Sequence, residues 1–522
     1  MQNLNELWDQ AARDFPERTA VIYQDCAYTY AELDAMIRTL AAGLRASGGV
    51  APGDRVGLAM PNCLHSIACY LAVIRAGAIA LPVNVRLKAE EMRFILQDAG
   101  VRLALVHSTV WPTVREALGA EIPCHVIGVD FAENGVAPLD TLMSDGGETA
   151  FIPAECSEVA TPNEVAIRDE VAIRDEVASI IYTSGTTGLP KGAMITHGNV
   201  LFNVQSTILG HGFRPDDVHI LVVPLFHVTG LNTIMPTAFH QGATVVVTAK
   251  TTPSDILELV AQHRATTFFA VPTTMILLAQ TPGLERFDVS SLRLIAYSGA
   301  PMPVRTIARL RESFPGVLLH NFFGLTETTS VTSVLPDDQA LVRPESIGRA
   351  VPELEVKVVD EAGNMLPPGE VGELLVKGPS VVKGYYNRPE ATAEAIVDGW
   401  LHTGDTAFLD EDNYIFLQGR RKEMLIVAGE NVYPVEVENV LTRHPAVAEV
   451  AVIGVPHPVL GEVARAVVVL QAGAECTGLE LKRHCSEHLA SYKVPQTFEF
   501  RAALPRNPSG KVVKRELKSS VS

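Results

Sequence analysis

Apolar runs of strand length alternate with segments of helical period along most of this chain, and no other feature constrains its fold as tightly. RVGLAM (55–60), a helical stretch near 63–76 and AIALPVN (78–84) begin the series. RLALVH, CHVIGV, VASIIYTS, VHILVVPL, ATVVVTA, ATTFFAV and LRLIAYSG continue it, with periodic segments such as SDILELVAQHR and VRTIARLRESF between several of them. Strands separated by helix-length connections predict parallel sheets with helices on their faces. From about residue 350 the character changes to short strands, LEVKVVD, GELLVKG, YIFLQGR and EMLIVAG, joined by turns such as PPGE and DEDN. Beyond about 420 the pattern is a compact α+β unit: helix VEVENVLTRH, strands VAEVAVIGV and RAVVVL, helix LELKRHCSEHLA, then a polar, basic end. At 522 residues the chain is too long for one core, so the reading is a multidomain α/β protein.

Composition narrows the function classes. Acidic residues outnumber basic ones, 60 to 42, for a formal net charge of −18, which argues against general nucleic-acid binding. The seven cysteines (26, 63, 69, 124, 156, 476, 485) are scattered and form no CxxC pair, which argues against a disulfide scaffold or a cysteine zinc site and suits a reducing cytoplasm. The N-terminus lacks a signal-type apolar core, and the final SSVS is not a peroxisomal address. Residues 56–74 and 219–249 carry no Asp, Glu, Lys or Arg, but Pro61, Asn62, His65, His219, His227, Asn232 and Gln241 interrupt them. Both read as buried α/β core, with no integral membrane association. EVAIRD recurs in frame at 164–169 and 170–175; two six-residue copies are not a repeat architecture and read as a duplicated linker.

The segment YTSGTTGLPKG (182–192) follows directly on the strand ASIIYTS. Thr183, Ser184, Thr186 and Thr187 supply hydroxyls, Gly185, Gly188 and Gly192 allow close backbone approach, and Lys191 adds a positive charge. Such a loop can wrap nucleotide oxyanions. It is not a Walker A loop, because GxxxxGK[ST] is absent.

YTSGTTGLPKG resembles the signature of the adenylate-forming family, which contains acyl-CoA synthetases, aryl-CoA ligases, luciferases and peptide-synthetase adenylation domains. PLFH (224–227), YSGAP (297–301), FGLTET (323–328), WLHTGD (400–405), GRRKEM (419–424), GENVYP (429–434) and PRNPSGKVVKREL (505–517) follow in order, so the resemblance covers essentially the whole chain. It implies a large N-terminal domain (1–418) of stacked α/β sheets with a small β-barrel-like part, a hinge (419–422), and a small mobile α+β C-terminal domain (423–522). It also implies an AMP-forming ligase that uses ATP, Mg²⁺ and CoA, as a monomer or a homodimer.

The resemblance carries roles to individual residues. Thr183, Ser184, Gly185, Thr186, Thr187, Gly188 and Lys191 would hold the β- and γ-phosphates. Thr326 would contact the α-phosphate and Glu327 would coordinate Mg²⁺, for which a carboxylate is the right hard ligand. Phe323 would pack on adenine, and Gly299, Ala300 and Pro301 would line the adenine and carboxylate region. Asp405 and Arg420 would bind the ribose, with an Asp–Arg structural bridge as the competing reading. Lys511 would approach the carboxylate and α-phosphate, unless it is one solvated lysine among Lys514, Arg515 and Lys518. His227 would lie near the acyl site or be a buried core histidine; adenylation of a carboxylate needs no general base at neutral pH. Lys422 would be the hinge that withdraws Lys511 and brings Gly429, Glu430 and Asn431 to the adenylate as the thiol tunnel.

The acyl pocket is expected from Phe226 to Asn232, from Val271, Pro272, Thr273, Met275, Ser298 and Gly299, and from Thr328 to Val331. These short segments hold no Lys or Arg to pair with a second carboxylate, which disfavours dicarboxylates and α-amino acids. A medium- or long-chain fatty acid is the first expectation and an aryl acid the alternative. Eleven residues follow Lys511, so free CoA is favoured over a fused carrier, with a separate carrier protein as a further alternative. A non-catalytic nucleotide-binding relative is the different-class reading, opposed by Glu327, Asp405, Arg420 and Lys511.

Overall fold

The computed structural model describes residues 1–119, 124–143, 174–183, 189–300, 302–420, 423–427, 430–457, 461–507 and 511–518. Ser184 to Gly188, Pro301, Lys422, Gly429 and all but the last two residues of the 164–175 repeat lie outside them.

Two large sheets form the N-terminal body. The seven-stranded sheet runs Ala137–Pro138, His125–Val129, Leu103–His107, Arg55–Ala59, Ile79–Pro82, Val177–Thr183, Lys191–Thr196. The nine-stranded sheet runs Arg349–Ala350, Ser333–Leu335, Leu318–Phe323, Leu294–Tyr297, Thr267–Ala270, Val218–Leu221, Thr244–Val247, Thr19–Tyr23, Cys26–Thr29. Their centres are parallel, as the alternation predicts. At the edges the pairing differs: Lys191–Thr196, Cys26–Thr29, Ser333–Leu335 and Arg349–Ala350 pair antiparallel, since none of them follows its neighbour through an α-helical crossover.

Helix Leu64–Arg75 shows why residues 56–74 lack charge. All but its first-turn His65 and its terminal Arg75 are buried, in a core shared with Leu58 and Leu105 of one sheet and Val21, Val245 and Phe269 of the other. Tyr30–Ala46 is amphipathic, burying Tyr30, Leu33, Ile37, Leu40 and Leu44. It starts at a capping box in which Glu32 N–H donates to Thr29 Oγ1 (3.2 Å) and Thr29 N–H to Glu32 Oε2 (2.8 Å). Among the described residues no helix is long and apolar enough to cross a membrane.

A five-stranded antiparallel sheet follows: Glu355–Val359, Gly372–Lys377, Trp400–Leu409 and Ile396–Val397, with Ile415–Arg420 pairing Trp400–Leu409. This curled sheet has its own small core of Val358, Leu374, Ala407 and Ile415. The C-terminal unit packs helices Pro434–Thr442 and Gly478–His488 on a separate sheet built around the long pair Val447–His457 and Gly461–Leu470.

Candidate active site

Four neighbouring parallel strands of the nine-stranded sheet, Val218–Leu221, Thr267–Ala270, Leu294–Tyr297 and Leu318–Phe323, each run into a segment singled out from sequence. Phe226 and His227, Val271 and Pro272, Ser298 to Ala300, and Thr326 and Glu327 therefore gather beyond one carboxyl edge, where open α/β sheets bind ligands. Two contacts tie these segments together. Thr229 Oγ1 lies 3.2 Å from Ser330 Oγ, and a Cβ on Gly299 would come 3.8 Å from Val271 Cγ1.

The FGLTETTS turn is compact. Thr328 is fully buried and its hydroxyl accepts from Leu325 N–H (2.9 Å) and from Thr332 Oγ1 (2.8 Å). Thr329 and Ser330 both adopt positive φ, +54° and +102°, a strained pair of the kind kept where geometry matters to function. Only glycine fits at 324, since a Cβ there would stand 1.0 Å from the Ser330 carbonyl oxygen. Thr326 and Glu327 emerge from this turn, and Phe323 ends the preceding strand, partly buried against the Val358–Ala407 core.

The two strands that flank the phosphate-loop candidate, Val177–Thr183 and Lys191–Thr196, are antiparallel partners. Thr183 pairs with Lys191 across antiparallel strands. A segment that sequence reasoning passed over, 380–386, straps this strand pair to Glu327. Val382 N–H donates to the Glu327 carbonyl (3.0 Å), Met194 N–H to Gly384 O (2.9 Å) and Tyr386 N–H to Gly192 O (2.8 Å). Within the strap, Tyr385 donates its hydroxyl to Glu327 Oε1 (2.9 Å), while its ring centroid lies 5.0 Å from Lys191 Nζ. Burial, with the Glu327 charge and the bond to it next in weight, holds the phenol well above its ordinary pKa, so it stays a donor.

Asp405 and Arg420 are cross-strand partners on Trp400–Leu409 and Ile415–Arg420. Arg420 Nε donates to Asp405 Oδ1 (2.6 Å) and Arg420 Nη1 to Thr403 O (3.0 Å). The salt bridge exists, as the competing reading proposed, but it leaves Asp405 Oδ2 buried with no hydrogen-bond partner among the described residues. Such an atom is costly unless something donates to it. Burial pushes the Asp405 carboxyl up to about 6, overcoming the opposing pull of Arg420 and Lys511.

Two hydrogen bonds to Asn507 fix the backbone of Lys511 at this cleft. Lys511 N–H donates to Asn507 Oδ1 (2.9 Å) and Asn507 N–H to Lys511 O (2.8 Å). The residue keeps exposed surface, yet its ammonium is desolvated, and this, aided by Arg420, lowers its pKa against the pull of Asp405 and Glu327. Lys514, by contrast, is neutralised locally by Glu438 (2.8 Å) and Glu423 (3.1 Å). His227 faces Lys511: burial first, then the Lys511 charge, drops its pKa to about 4. Its Nδ1 accepts from Thr229 N–H (3.3 Å), so the neutral ring presents Nε2–H. Glu327, Asp405, Arg420, Lys511 and His227 thus share one electrostatic cleft. Gly299 (φ +91°) and exposed Ala300 lie at its sheet edge, and Glu430 and Asn431 fall on the strand Glu430–Val432 of the C-terminal unit.

Comparison with known proteins agrees with this geometry. The family described as AMP-binding enzyme matches residues 8–386, and its C-terminal domain matches 436–511. The chain belongs to the AMP-binding enzyme family. It falls in the acid-adenylating ligase branch. A feruloyl-CoA synthase from Amycolatopsis sp is 38% identical over 97% of this chain and 96% of its own. A long-chain-fatty-acid–CoA ligase from Bacillus subtilis is 33% identical over 98% of this chain and 93% of its own. The solved structure of o-succinylbenzoate CoA synthetase from Bacillus subtilis, with its acyl-adenylate intermediate, superposes with a TM-score of 0.83 at 32% identity, covering 98% of this chain and 97% of that one. The protein is an enzyme of adenylate-forming architecture.

Proposed function

We propose that this chain is an AMP-forming acid–CoA ligase that acts on an aromatic carboxylic acid. The observation that carries the reaction is the convergence of Glu327, Asp405, Arg420 and Lys511 at one cleft, with Asp405 Oδ2 lacking a donor among the described residues. A ribose hydroxyl supplies that donor.

The residues divide the work by charge. A carboxylate is a poor acyl donor because its leaving group is oxide; attack on the α-phosphate of ATP replaces oxide with AMP. Lys511 meets the negative charge of both reactants, and its desolvated ammonium acts more strongly than one in water. Thr326 and the neutral His227 Nε2–H add uncharged donors beside the reacting centre. Lys191, held beside the Tyr385 ring, faces the phosphates that leave. Glu327 is the oxygen donor that fits Mg²⁺, which would neutralise phosphate charge when bound. In the second step CoA thiolate displaces AMP.

The domain assignments belong to the same reading. Ile415–Arg420 pairs within the curled sheet and Leu425–Val427 within the C-terminal sheet, which supports a boundary between Arg420 and Leu425 with Lys422 as hinge. Rotation there would remove Lys511 and present the 429–431 segment for the thiol step.

The aryl reading displaces the fatty-acid expectation for two reasons. Relatives include enzymes named for feruloyl and o-succinylbenzoyl substrates. In the acyl segment, the π-helical turn Thr229–Ile234 buries Asn232 completely, and its Nδ2 has no partner among the described residues. Its Oδ1 lies 3.4 Å from the donor Tyr70 Oη, and Tyr70 in turn lines a small cavity with Met60, Pro82, Phe226 and Leu231. An alkyl chain leaves such an amide unsatisfied, whereas a ring bearing an oxygen substituent satisfies it. The test is a panel of short, medium, long and aromatic acids with ATP and CoA, reading pyrophosphate, AMP and thioester. Turnover confined to fatty acids would overturn the aryl assignment. Pyrophosphate without thioester would favour a carrier-protein acceptor.

A further inference from the structure

The helix Gly478–His488 ends in His484-Cys485-Ser486-Glu487-His488, well outside the ATP cleft in sequence and sharing no residue with it. Leu481 and Cys485 turn into the C-terminal core, so the helical period sets His484, Glu487 and His488 side by side on another face. One ligand atom from each of these three lies within 4.8 Å of the other two. The imidazole rings of His484 and His488 are 4.8 Å apart, tilted by 43°.

The hydrogen bonds decide which nitrogens are available. His484 Nε2 lies 3.0 Å from the Val440 carbonyl oxygen, and His488 Nδ1 lies 2.8 Å from the His484 carbonyl oxygen. A carbonyl oxygen only accepts, so both of these nitrogens carry hydrogen. In the neutral rings His484 Nδ1 and His488 Nε2 are then the bare lone pairs. This is the arrangement of metal-binding histidines, whose second N–H is held by a backbone carbonyl that fixes tautomer and ring orientation. His444, edge-on to His484 at 5.2 Å, accepts from Ala446 N–H through its own Nδ1 (3.3 Å) and is outside the set.

We propose that His484, Glu487 and His488 form a transition-metal site that takes Zn²⁺ through two imidazoles and one carboxylate. Two nitrogens and one oxygen from protein, with water completing a tetrahedron, suit Zn²⁺ better than Mg²⁺ or Ca²⁺, which prefer all-oxygen shells. The site is separate from the one that holds Mg²⁺, and it couples the last turn of Gly478–His488 to helix Pro434–Thr442 through the Val440 carbonyl.

Zn²⁺ binding to the full-length, reduced, metal-stripped protein is measured by competition with a chromophoric chelator, for the wild type and for His488→Ala, His484→Ala and Glu487→Gln. His488 and Glu487 are exposed, so their variants keep the fold, and far-UV circular dichroism checks this. Each histidine variant should bind this Zn²⁺ equivalent at least about tenfold more weakly, the order of loss seen even for second-shell changes. Cobalt substitution should give tetrahedral d–d bands in the wild type that are lost in His488→Ala. Wild-type stoichiometry and affinity in His488→Ala would overturn the proposal, because the measured zinc would then sit elsewhere.

Discussion

Arg420 Nε donates to Asp405 Oδ1 at 2.6 Å, and still the Asp405 carboxyl is pushed up to about 6. Desolvation outweighs the ion pair because the second carboxylate oxygen is buried and no described residue donates to it. Asp405 is raised above its ordinary 3.8, so between about pH 4 and 6 the folded protein binds more protons than the unfolded chain. Stability therefore falls as pH rises through that window. Nucleotide binding has the opposite sign, since the ionised carboxylate accepts hydroxyls better. AMP affinity measured by calorimetry should rise from pH 5 to 7, and Asp405→Asn should flatten the rise. An equally steep profile in the variant would assign the titration to another group.

Tyr385→Phe removes a hydroxyl donor from the Glu327 carboxylate while leaving the ring beside Lys191. A hydrogen bond to a charged group contributes about 1.5–3 kcal/mol, so adenylation should slow by about tenfold or more. The loss should shrink at high Mg²⁺ if Tyr385 orients the carboxylate for the ion. Acid-dependent pyrophosphate release across a Mg²⁺ series measures both effects; unchanged rates would reduce the contact to packing.

Lys511→Ala should lower adenylation by about a hundredfold or more, the scale of losing a preorganised charge at a transition state. Thioester formation from supplied acyl-adenylate and CoA should be nearly intact. Equal losses in the two half-reactions would sink the assignment of Lys511 to the first.

Asn232→Leu swaps an amide whose Nδ2 no described residue pairs for an alkyl group of similar volume. The ratio of kcat/KM for a ring-hydroxylated acid over its unsubstituted parent should fall by about tenfold. An unchanged ratio, with both acids affected alike, would make Asn232 a packing residue.

The central sheets were readable because each strand is a short apolar run and each crossover carries helical period. The motif residues were readable because hydroxyls, glycines and charges stand at fixed spacing. Tyr385 was not: its strap, VVKGYY, looks like an ordinary apolar turn, and its partners lie 58 and 194 positions away in Glu327 and Lys191. The antiparallel edges were equally hidden, since an edge strand and a crossover strand share composition. Asn232 looked like an interruption in an uncharged run, and only packing shows that its amide nitrogen is buried with no partner among the described residues. The cysteine count was silent on the His484 cluster, which depends on which ring nitrogen meets a carbonyl.

Arg305 sits on the amphipathic helix Val304–Ser313, where a sequence reading finds only a surface cation. In the structure it donates to the carbonyls of His444, Val447 and Ala448 in the C-terminal unit, in the arrangement that has Lys511 in the cleft. Arg305→Ala should slow adenylation about three- to tenfold, on the scale of one or two net hydrogen bonds, and spare thiol transfer. Rapid-quench measurement of each half-reaction checks this; a matching loss in both would make Arg305 a general stabiliser.

The acceptors at 444, 447 and 448 are main-chain atoms, so exchanging those side chains leaves the hold intact wherever the backbone path survives. Under the proposed rotation of the C-terminal unit, the balance between its two poses then depends, at this contact, on one side of the joint alone. A catalyst could be retuned toward faster activation or faster handover by changing residue 305, with its substrate pocket untouched.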